Sequence, residues 1–436
     1  SFSEKALTGV DVTKPTSLAF GPDGRLYVSQ QNGVIKAYTI TRTTDGSYEA
    51  TDVEVVDDVV DDIPNHNDDG AVASSVTGRQ VTGITVAGTS TNPVLYVSSS
   101  DPRIGGGEEN VQTGLDTNSG VISRIEWAGG EREHTILVRG LPRSRENHAT
   151  NGLELSDDGE TLYVAQGGNT NTGAPSPEFA GGKEYALSAA ILSVDLSQVE
   201  SASDGTNANG VPVRYDLPTL QGGEEPFGGM NGENMAKLVA DGPVQVYSPG
   251  WRNPYDVELT EGGNMYAVDN GGNAGWGDVP VGEGTAQCTN EPNDGGPNVF
   301  NSMQLVEGEG YYGGHPNPTR GNPDDTYPDA VPAATPVECD YYGTSDETGT
   351  PNVDDEKGSM YVFKPSTNGL DEYTASNFDG EMRGEILAAS FDGTVSRIDL
   401  SADGESVDQV TQLASGFDGV PLDVEGVGDD GPFPGT

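Results

Sequence analysis

Positively charged residues are scarce in this 436-residue sequence. It contains 21 lysines and arginines against 70 aspartates and glutamates, which gives a formal net charge of −49. Such a chain would repel the phosphate backbone, so nucleic acid is excluded as a partner. Strand-like segments recur along most of the length, which predicts a folded protein rather than a disordered acidic chain. We expect adaptation to very high salt, where the Debye length of ~3 Å or less screens the self-repulsion.

Long apolar runs and helical periodicity are also missing. No stretch of about 18 apolar residues occurs, so the sequence predicts no membrane span. Helix-period patterns are rare, while 62 glycines and 28 prolines indicate frequent turns. The sequence has no G-x-S-x-G elbow, no phosphate-binding loop and no dinucleotide fingerprint. It therefore lacks the usual signatures of α/β-hydrolases and nucleotide-binding enzymes.

Cysteine is nearly absent, and the two that occur, Cys288 and Cys339, are not spaced like metal ligands. They flank a segment rich in glycine, proline and asparagine. In an exported protein a disulfide between them would close a loop of about 50 residues and stabilise the fold by up to ~4 kcal/mol in the chain-entropy model. Two buried free thiols are the alternative. The start at Ser1 shows no signal sequence, as in a mature exported form, so we expect an extracellular or cell-surface protein.

A hairpin phrase recurs through the sequence. It consists of an apolar strand, a turn of aspartate and glycine, and a second strand that ends in Tyr-Val or a similar pair, often with further strand after a glycine. Copies begin near residues 16, 83, 153, 254 and 384. Four-stranded units separated by variable loops predict an all-β protein, a six-bladed β-propeller that forms one domain over residues 1–436. One unit is expected within the irregular stretch at about 280–365, which also contains a loop insertion.

The last residues resemble the start of one more unit. Residues 419–424 read as its first strand, and the sequence reaches Thr436 where the partner strand should begin. We therefore expect an incomplete final blade with an open edge. A strand from the segment before Pro15 would close it, or a second copy would add one by self-association.

One histidine stands out as a candidate for chemistry. His148 lies between Asn147 and Asn151, directly before the hairpin that begins near residue 153. A neutral imidazole titrates near neutrality and suits a general base. The alternative is a histidine that orders its own loop through hydrogen bonds.

Two further patterns suggest metals. The acidic loop at residues 57–70 contains oxygen ligands of the kind that calcium prefers, among them Asp61, Asp68 and Asp69. It lacks a full helix–loop–helix pattern, and a solvated acidic loop is the alternative. A transition-metal site of His66, His148 and His315 is a second alternative, although these residues have no local spacing signature.

Four phrases resemble the glucose/sorbosone dehydrogenase family, and the acidic composition resembles its haloarchaeal type. They are Asn147-His148 before one strand, GWRNP at residues 250–254 before another, DNGGN at residues 269–273 after it, and GGHP at residues 313–316. The resemblance spans residues 13–424. It implies a six-bladed propeller that oxidises an aldose or related alcohol with pyrroloquinoline quinone (PQQ) and calcium.

The resemblance also implies roles for single residues. His148 corresponds to the base that takes the hydroxyl proton as hydride leaves the sugar for the quinone. The positions that contact the quinone correspond to Arg252, Asn253 and, more roughly, Gln80. The main-chain carbonyls that bind calcium correspond to Gly271 and Gly272.

The sequence departs from the family where the cofactor would be held. The family binds the three PQQ carboxylates with a lysine and arginines late in the chain, whereas residues 390–393 and 419–424 contain neither. Gly167 and Gly168 replace the carboxylate that orients the histidine. Two functions therefore stay open: a secreted dehydrogenase of a small-molecule sugar, or a non-catalytic propeller that binds glycan or self-assembles.

Overall fold

The structure is a computed structural model that describes residues 2–105, 114–219, 235–281, 288, 295–296, 298–320, 337–343, 358–417 and 419–436. Strands make up nearly all of the regular secondary structure of the described chain, and they form a propeller of five sheets, or blades. Blade one contains β1 (Leu7–Thr8), β2 (Pro15–Phe20), β3 (Arg25–Gln30), β4 (Ile35–Arg42) and β5 (Tyr48–Val56). Blade two contains β6 (Gln80–Gly88), β7 (Pro93–Ser100), β8 (Gly120–Ala128) and β9 (Glu131–Leu141).

The other three blades follow in chain order. Blade three contains β10 (Thr150–Leu155), β11 (Thr161–Gln166), β12 (Ala190–Asp195) and β14 (Val244–Pro249), and β13 (Val213–Asp216) pairs in parallel with β9 of blade two. Blade four contains β15 (Pro254–Leu259), β16 (Met265–Asp269), β17 (Asn301–Val306) and β18 (Tyr361–Phe363). Blade five contains β19 (Thr367–Tyr373), β20 (Glu385–Ser390), β21 (Thr394–Leu400) and β22 (Val407–Ser415).

Helices are short in the described chain. They are α1 (Asp58–Asp62) and α2 (Leu196–Ser201), with single 3-10 turns at Pro177–Phe179 and Phe378–Gly380. None of them is long and apolar enough to span a membrane.

Local sequence explains the repeated hairpins. Between β2 and β3 the chain turns at GPDG, where Asp23 Oδ1 accepts the N–H of Arg25 and Gly24 has a φ of 79°. Glycine takes that left-handed conformation without the steric cost that a side chain adds. The side chains of a strand alternate between two faces, and in the inner strands β16 and β20 both faces are buried.

The hydrophobic core lies between blades rather than inside any one of them. One cluster joins Tyr96 and Leu137 of blade two to Leu162 and Leu192 of blade three. Equivalent clusters join blades one and two, three and four, and four and five. The first strands of neighbouring blades contact one another, in the order β2, β6, β10, β15 and β19. Loops from distant parts of the sequence therefore meet beside these strands.

The prediction of six blades is wrong. The stretch at about 280–365 supplies β17 and β18, which are the outer strands of blade four, because β16 requires a partner on its outer edge. The first strand of blade five, β19, was not predicted, although its first four residues, TNGL, are identical to those of β10. Much of the predicted loop insertion, at residues 282–287, 289–294, 297, 321–336 and 344–357, lies outside the described residues.

The ring is closed between blades five and one by side chains. Residues 419–424, predicted as a strand, form no strand in the structure. Instead Asp423 Oδ2 accepts the N–H of Leu18 at 2.9 Å, and Glu425 Oε1 accepts that of Phe20 at 3.1 Å. Side-chain carboxyl groups thus make the contacts with blade one, whereas main-chain hydrogen bonds join the strands within a blade. Addition of a strand from a second copy stays a prediction.

The predicted disulfide between Cys288 and Cys339 is confirmed, and it joins positions 51 residues apart. We expect the double variant Cys288→Ser/Cys339→Ser to lose about 4 kcal/mol of unfolding free energy, because the bond limits the unfolded chain. Denaturant titration at molar salt with and without reductant measures this loss. The reductant should not change the variant, and equal stability of variant and oxidised wild type would contradict the expectation.

Candidate active site

A cavity of about 300 Å³ brings together five of the residues that the sequence singled out. It is lined by Gln80, His148, Arg252, Asn253 and Gly271, and also by Thr82, Glu146, Asn147, Asn151, Tyr255, Asn270, Asn273, Trp276, Asn301, Ser366, Asn368 and Phe391. Most of these stand at the start of a first strand or the end of a second strand. Antiparallel pairing places those two ends side by side, as in the pairs Thr150–Gln166 and Pro254–Asp269. The architecture therefore collects them at one end of the blades.

His148 is oriented by a main-chain carbonyl. Its side chain is 4% exposed, and Nδ1 lies 2.9 Å from the carbonyl oxygen of Gly168. A carbonyl can only accept, so Nδ1 must donate a hydrogen, and in the neutral ring Nε2 keeps its lone pair. The ring also makes an edge-to-face contact with Phe179, with centroids 5.1 Å apart. These contacts fix both the tautomer and the orientation of the imidazole.

The surroundings of His148 favour its neutral form. Burial lowers its pKa well below the ordinary value, and the positive charge of Arg252 adds to the effect, while the hydrogen bond to Gly168 opposes it. Nε2 lies 3.8 Å from Glu146 Oε2. Burial raises the pKa of Glu146, against the influence of Arg252 and Arg143. The imidazole is therefore a neutral base at neutral pH, beside a carboxyl group that takes up a proton more easily than usual.

Arg252 brings a positive charge to the cavity and is 6% exposed. Its guanidinium hydrogen bonds go to neutral oxygens: Nε and Nη2 to the carbonyl and the side-chain oxygen of Asn171, at 3.0 and 3.1 Å, and Nη1 to the carbonyl of Asn270 at 3.2 Å. It also lies over the ring of Phe179, 5.8 Å from the centroid. Because no carboxylate appears among these acceptors, the charge is suited to an anionic group of a ligand.

Asn253 is fixed beside the histidine. Its Oδ1 accepts a hydrogen bond from Asn151 Nδ2 at 3.1 Å, and its main-chain N–H donates to Asp269 Oδ1 at 2.8 Å. A Cβ atom on Gly167 would lie 2.7 Å from Asn253 Oδ1 and 2.8 Å from the Cβ of His148. Glycine at position 167 therefore permits the close approach of the two cavity residues.

The two predicted calcium positions differ in their surroundings. Gly271 lines the cavity, and a Cβ atom there would lie 2.0 Å from the carbonyl oxygen of Val299, so only glycine fits. Gly272 is not among the residues that line the cavity, and its carbonyl accepts the N–H of Val299 at 2.8 Å. Calcium binding through these carbonyls stays a prediction.

The predicted carboxylate ligands lie elsewhere in the fold. Asp61 is part of α1, Asp68 Oδ2 accepts a hydrogen bond from Arg145 at 2.5 Å, and Asp69 Oδ1 accepts the N–H of Ala71 in a turn. Within the described ranges, no three residues of the types His, Cys, Asp and Glu are arranged to hold a metal ion. Their role as calcium ligands therefore stays a prediction, and the same holds for the three-histidine alternative.

Several residues that build the site carried no recognisable signal in the sequence. Glu184 is fully buried and accepts hydrogen bonds from the segment that follows Gly168. Asn171 binds the guanidinium of Arg252, and Glu146 faces the imidazole of His148. Asp269 ends β16 within the recognised DNGGN phrase, so its position was visible although its role was not.

No family model matches the sequence, and no curated protein matches it. Solved structures do resemble the fold. The PQQ-bound aldose sugar dehydrogenase of Streptomyces coelicolor is 14% identical, with 97% of this chain and 87% of that chain covered and a TM-score of 0.50. The holo PQQ domain of pyranose dehydrogenase from Coprinopsis cinerea is also 14% identical, with 98% and 90% covered and a TM-score of 0.50. At this identity the likeness shows the fold, a β-propeller like those of the PQQ-dependent sugar dehydrogenases.

Proposed function

We propose that this chain is an extracellular sugar dehydrogenase, in which His148 removes the hydroxyl proton of an aldose or related alcohol while a quinone accepts the hydride. The main support is the neutral His148, whose Nδ1 is hydrogen-bonded and whose Nε2 keeps its lone pair, on the wall of a ligand-sized cavity. Arg252, Asn253 and Gln80 line the same cavity. The disulfide supports an oxidising, extracellular location.

The residues of the chain provide the proton transfer. A sugar hydroxyl within about 2.6–3.2 Å of Nε2 would pass its proton to His148 as the C–H hydrogen leaves as hydride. The resulting imidazolium keeps its hydrogen bond to Gly168, and the carboxylate of Glu146 near Nε2 stabilises the new charge. A bound quinone such as PQQ would supply the two-electron acceptor.

The side chains that line the cavity offer such a quinone one positive charge and several amide groups. Arg252 is the one cationic side chain among the described residues that line it, and it would face one carboxylate of the cofactor. Amide donors, including Gln80, Asn253 and Asn273, would hold the remaining polar edge. Phe391, within the segment that lacks the family's lysine, offers an aromatic ring instead of a charge.

Calcium would relieve the remaining charge mismatch. A cofactor with three carboxylates brings more negative charge than one guanidinium balances. A divalent cation held by the Gly271 carbonyl and by the cofactor's own oxygens would neutralise part of it, since calcium prefers oxygen ligands. We therefore propose calcium as a second requirement of the site and adaptation to high salt as a condition that reduces the repulsion.

A second candidate function is glycan binding without oxidation. The same observation that limits the fit to PQQ favours it, because the described lining is rich in neutral amides and contains Trp276. Amides donate and accept hydrogen bonds from sugar hydroxyls, and an aromatic ring packs against a sugar face. Self-association through a strand added by a second copy beside residues 419–424 would suit such a surface protein.

The two functions are separated by reconstitution. The protein is supplied with PQQ and calcium at molar salt, and reduction of an artificial dye is followed with a panel of aldoses. We expect dye reduction that requires PQQ, with calcium-free and PQQ-free samples as controls. Absence of turnover together with an unchanged absorption spectrum of added PQQ would contradict the dehydrogenase. Calorimetric binding of glycan in the same sample would then favour the second candidate.

A further inference from the structure

The histidine of the candidate site has no carboxylate on its Nδ1, because Gly167 and Gly168 occupy that place. A buried carboxylate nevertheless lies one peptide group away. Glu184 is fully buried, and its Oε2 accepts the N–H of Asn169 at 2.9 Å. That N–H and the Gly168 carbonyl that binds His148 belong to the same peptide group. The hydrogen bonds therefore run from the imidazole through one peptide group to the carboxylate.

We propose that Glu184 is the positioning carboxylate of His148 and that it acts through the Gly168–Asn169 peptide group. When a peptide N–H donates to a charged oxygen, electron density moves toward the carbonyl of the same group, and that carbonyl becomes a stronger acceptor. The carbonyl of Gly168 then binds Nδ1–H of His148 more tightly. This favours the tautomer with a free lone pair on Nε2 and stabilises the imidazolium once it has formed.

Glu184 is held in place by a dense set of donors. Its Oε1 accepts the N–H of Thr170 at 3.0 Å and its hydroxyl at 2.6 Å, and it lies 2.7 Å from Nε2 of His315. Its Oε2 also accepts the hydroxyl of Ser188 at 2.7 Å. Burial raises the pKa of Glu184, but the hydrogen bonds from His315, Thr170 and Asn169 outweigh it and hold the pKa below the ordinary value. The group is therefore a carboxylate throughout the neutral range.

Both glycines are required for this arrangement. A Cβ atom on Gly168 would lie 2.8 Å from Glu184 Oε1 and 3.0 Å from the Cβ of Ala189. One on Gly167 would lie 2.8 Å from the Cβ of His148. The absence of both side chains lets the backbone pass between the imidazole and the carboxylate. Glycine at both positions thus admits the contact between this peptide group and Glu184.

The inference concerns the base of the proposed dehydrogenase and rests on that function for its kinetic consequences, but its first test needs no turnover. Nitrogen-15 NMR of labelled histidine reports the tautomer and the titration of His148 in wild type and in Glu184→Gln, which keeps the shape and removes the charge. We expect the variant to lower the pH at which His148 protonates and to weaken the Nδ1–H tautomer. Glu385→Gln is the matched control, because Glu385 is also buried but pairs with Arg397 in blade five.

The kinetic test follows in the reconstituted enzyme. We expect Glu184→Gln to reduce kcat about 10- to 100-fold, the range seen when the outer hydrogen-bond partner of a functional histidine is removed at metal sites. The low-pH limb of kcat/KM should move to lower pH, while KM for the sugar stays the same. Glu184→Asp, which keeps the charge, should recover part of the loss. A purely structural role would leave the position of that limb unchanged.

The outcomes are distinguishable. A folded Glu184→Gln variant with unchanged titration and tautomer of His148 would overturn the inference. A changed His148 in a protein that never oxidises sugar would support the inference and contradict the proposed function. Should Glu184→Gln fail to fold, Glu184→Asp keeps the charge but shortens the side chain, which weakens the hydrogen bond from the Asn169 N–H. It should lower the pH at which His148 protonates by a smaller amount, and no change would overturn the inference.

Discussion

Replacing His148 by glutamine is expected to lower sugar turnover about 10²- to 10⁴-fold, the usual contribution of a positioned general base. Glutamine fills a similar volume and can still donate to the carbonyl of Gly168, but it has no basic nitrogen in the place of Nε2. The loss should therefore fall on kcat, while the binding of PQQ and the melting temperature change little. Steady-state dye reduction at molar salt, with PQQ binding measured separately, gives both quantities.

The matched control is His134→Gln. His134 lies on β9, where Nδ1 is 2.7 Å from Asp62 Oδ2, and it does not line the cavity. Its replacement should affect stability more than turnover. Equal kcat values for His148→Gln and wild type would show that another group takes the proton, and the proposed chemistry would then be wrong.

The second large effect concerns stability and pH. Six carboxyl groups, named here the inner carboxylates, line one small cavity beside the first strands of the blades. They are Glu154, Asp256, Glu258, Asp371, Asp423 and Glu425. The described lining of that cavity contains no lysine or arginine. Ionised together, these groups would repel one another where water screens poorly.

The pKa directions agree with this geometry. Burial raises the pKa of Glu258 and that of Glu425 to about 8, and neighbouring carboxylates add to the shift. Burial raises the pKa of Asp423 to about 6. It also raises the pKa values of Glu154 and Asp371 well above the ordinary range, again with help from neighbouring carboxylates. The inner carboxylates therefore hold protons in the folded protein at pH values where the unfolded chain has released them.

A raised pKa in the folded state gives stability that is complete below the unfolded pKa, near 4, and is lost as the pH rises through the folded value. We therefore expect the melting temperature at constant molar salt to fall between about pH 5.5 and 8.5. Glu258→Gln should reduce this dependence, because it removes one of the groups that ionise. Glu133→Gln, on an exposed position of β9, is the matched control.

Thermal denaturation of the wild type and both variants across this pH range tests the expectation. A melting temperature that stays level or rises toward pH 8.5 in wild type would contradict the expectation. An equal pH dependence of the melting temperature in Glu258→Gln and Glu133→Gln would also contradict it. Because Asp423 and Glu425 also bind the N–H groups of Leu18 and Phe20, the pH dependence should include opening of the contact between blades five and one.

The sequence predicted individual hairpins correctly but not the number of blades. Short strands with period-2 alternation and Asp-Gly turns have a local signal, and β2, β3, β10, β11, β15 and β16 were all visible in it. Blade four was misjudged because β17 and β18 are separated from β16 by long irregular connections, so their pairing is a property of the folded chain. Residues 419–424 show alternation without becoming a strand, since side-chain carboxylates take over the contacts with blade one.

Only those residues of the candidate site that lie within recognisable sequence motifs could be predicted. The sequence predicts roles for His148, Arg252, Asn253, Gln80 and Gly271, and all five line one cavity. Glu184 could not be found, because its connection to His148 passes through a peptide group and depends on the fold. The inner carboxylates were hidden for a related reason: each looks like an ordinary polar residue of an alternating strand, and only the ring places them together.

The most direct test is a crystal structure of the protein with a bound aldose at molar salt. We predict a sugar in the cavity beside Arg252 and Asn253, with one hydroxyl oxygen about 2.6–3.2 Å from Nε2 of His148. Nδ1 should remain bonded to the carbonyl of Gly168. A sugar bound elsewhere in a sample that oxidises it, or an imidazole turned away from the sugar hydroxyls, would contradict the assignment of His148 as the base.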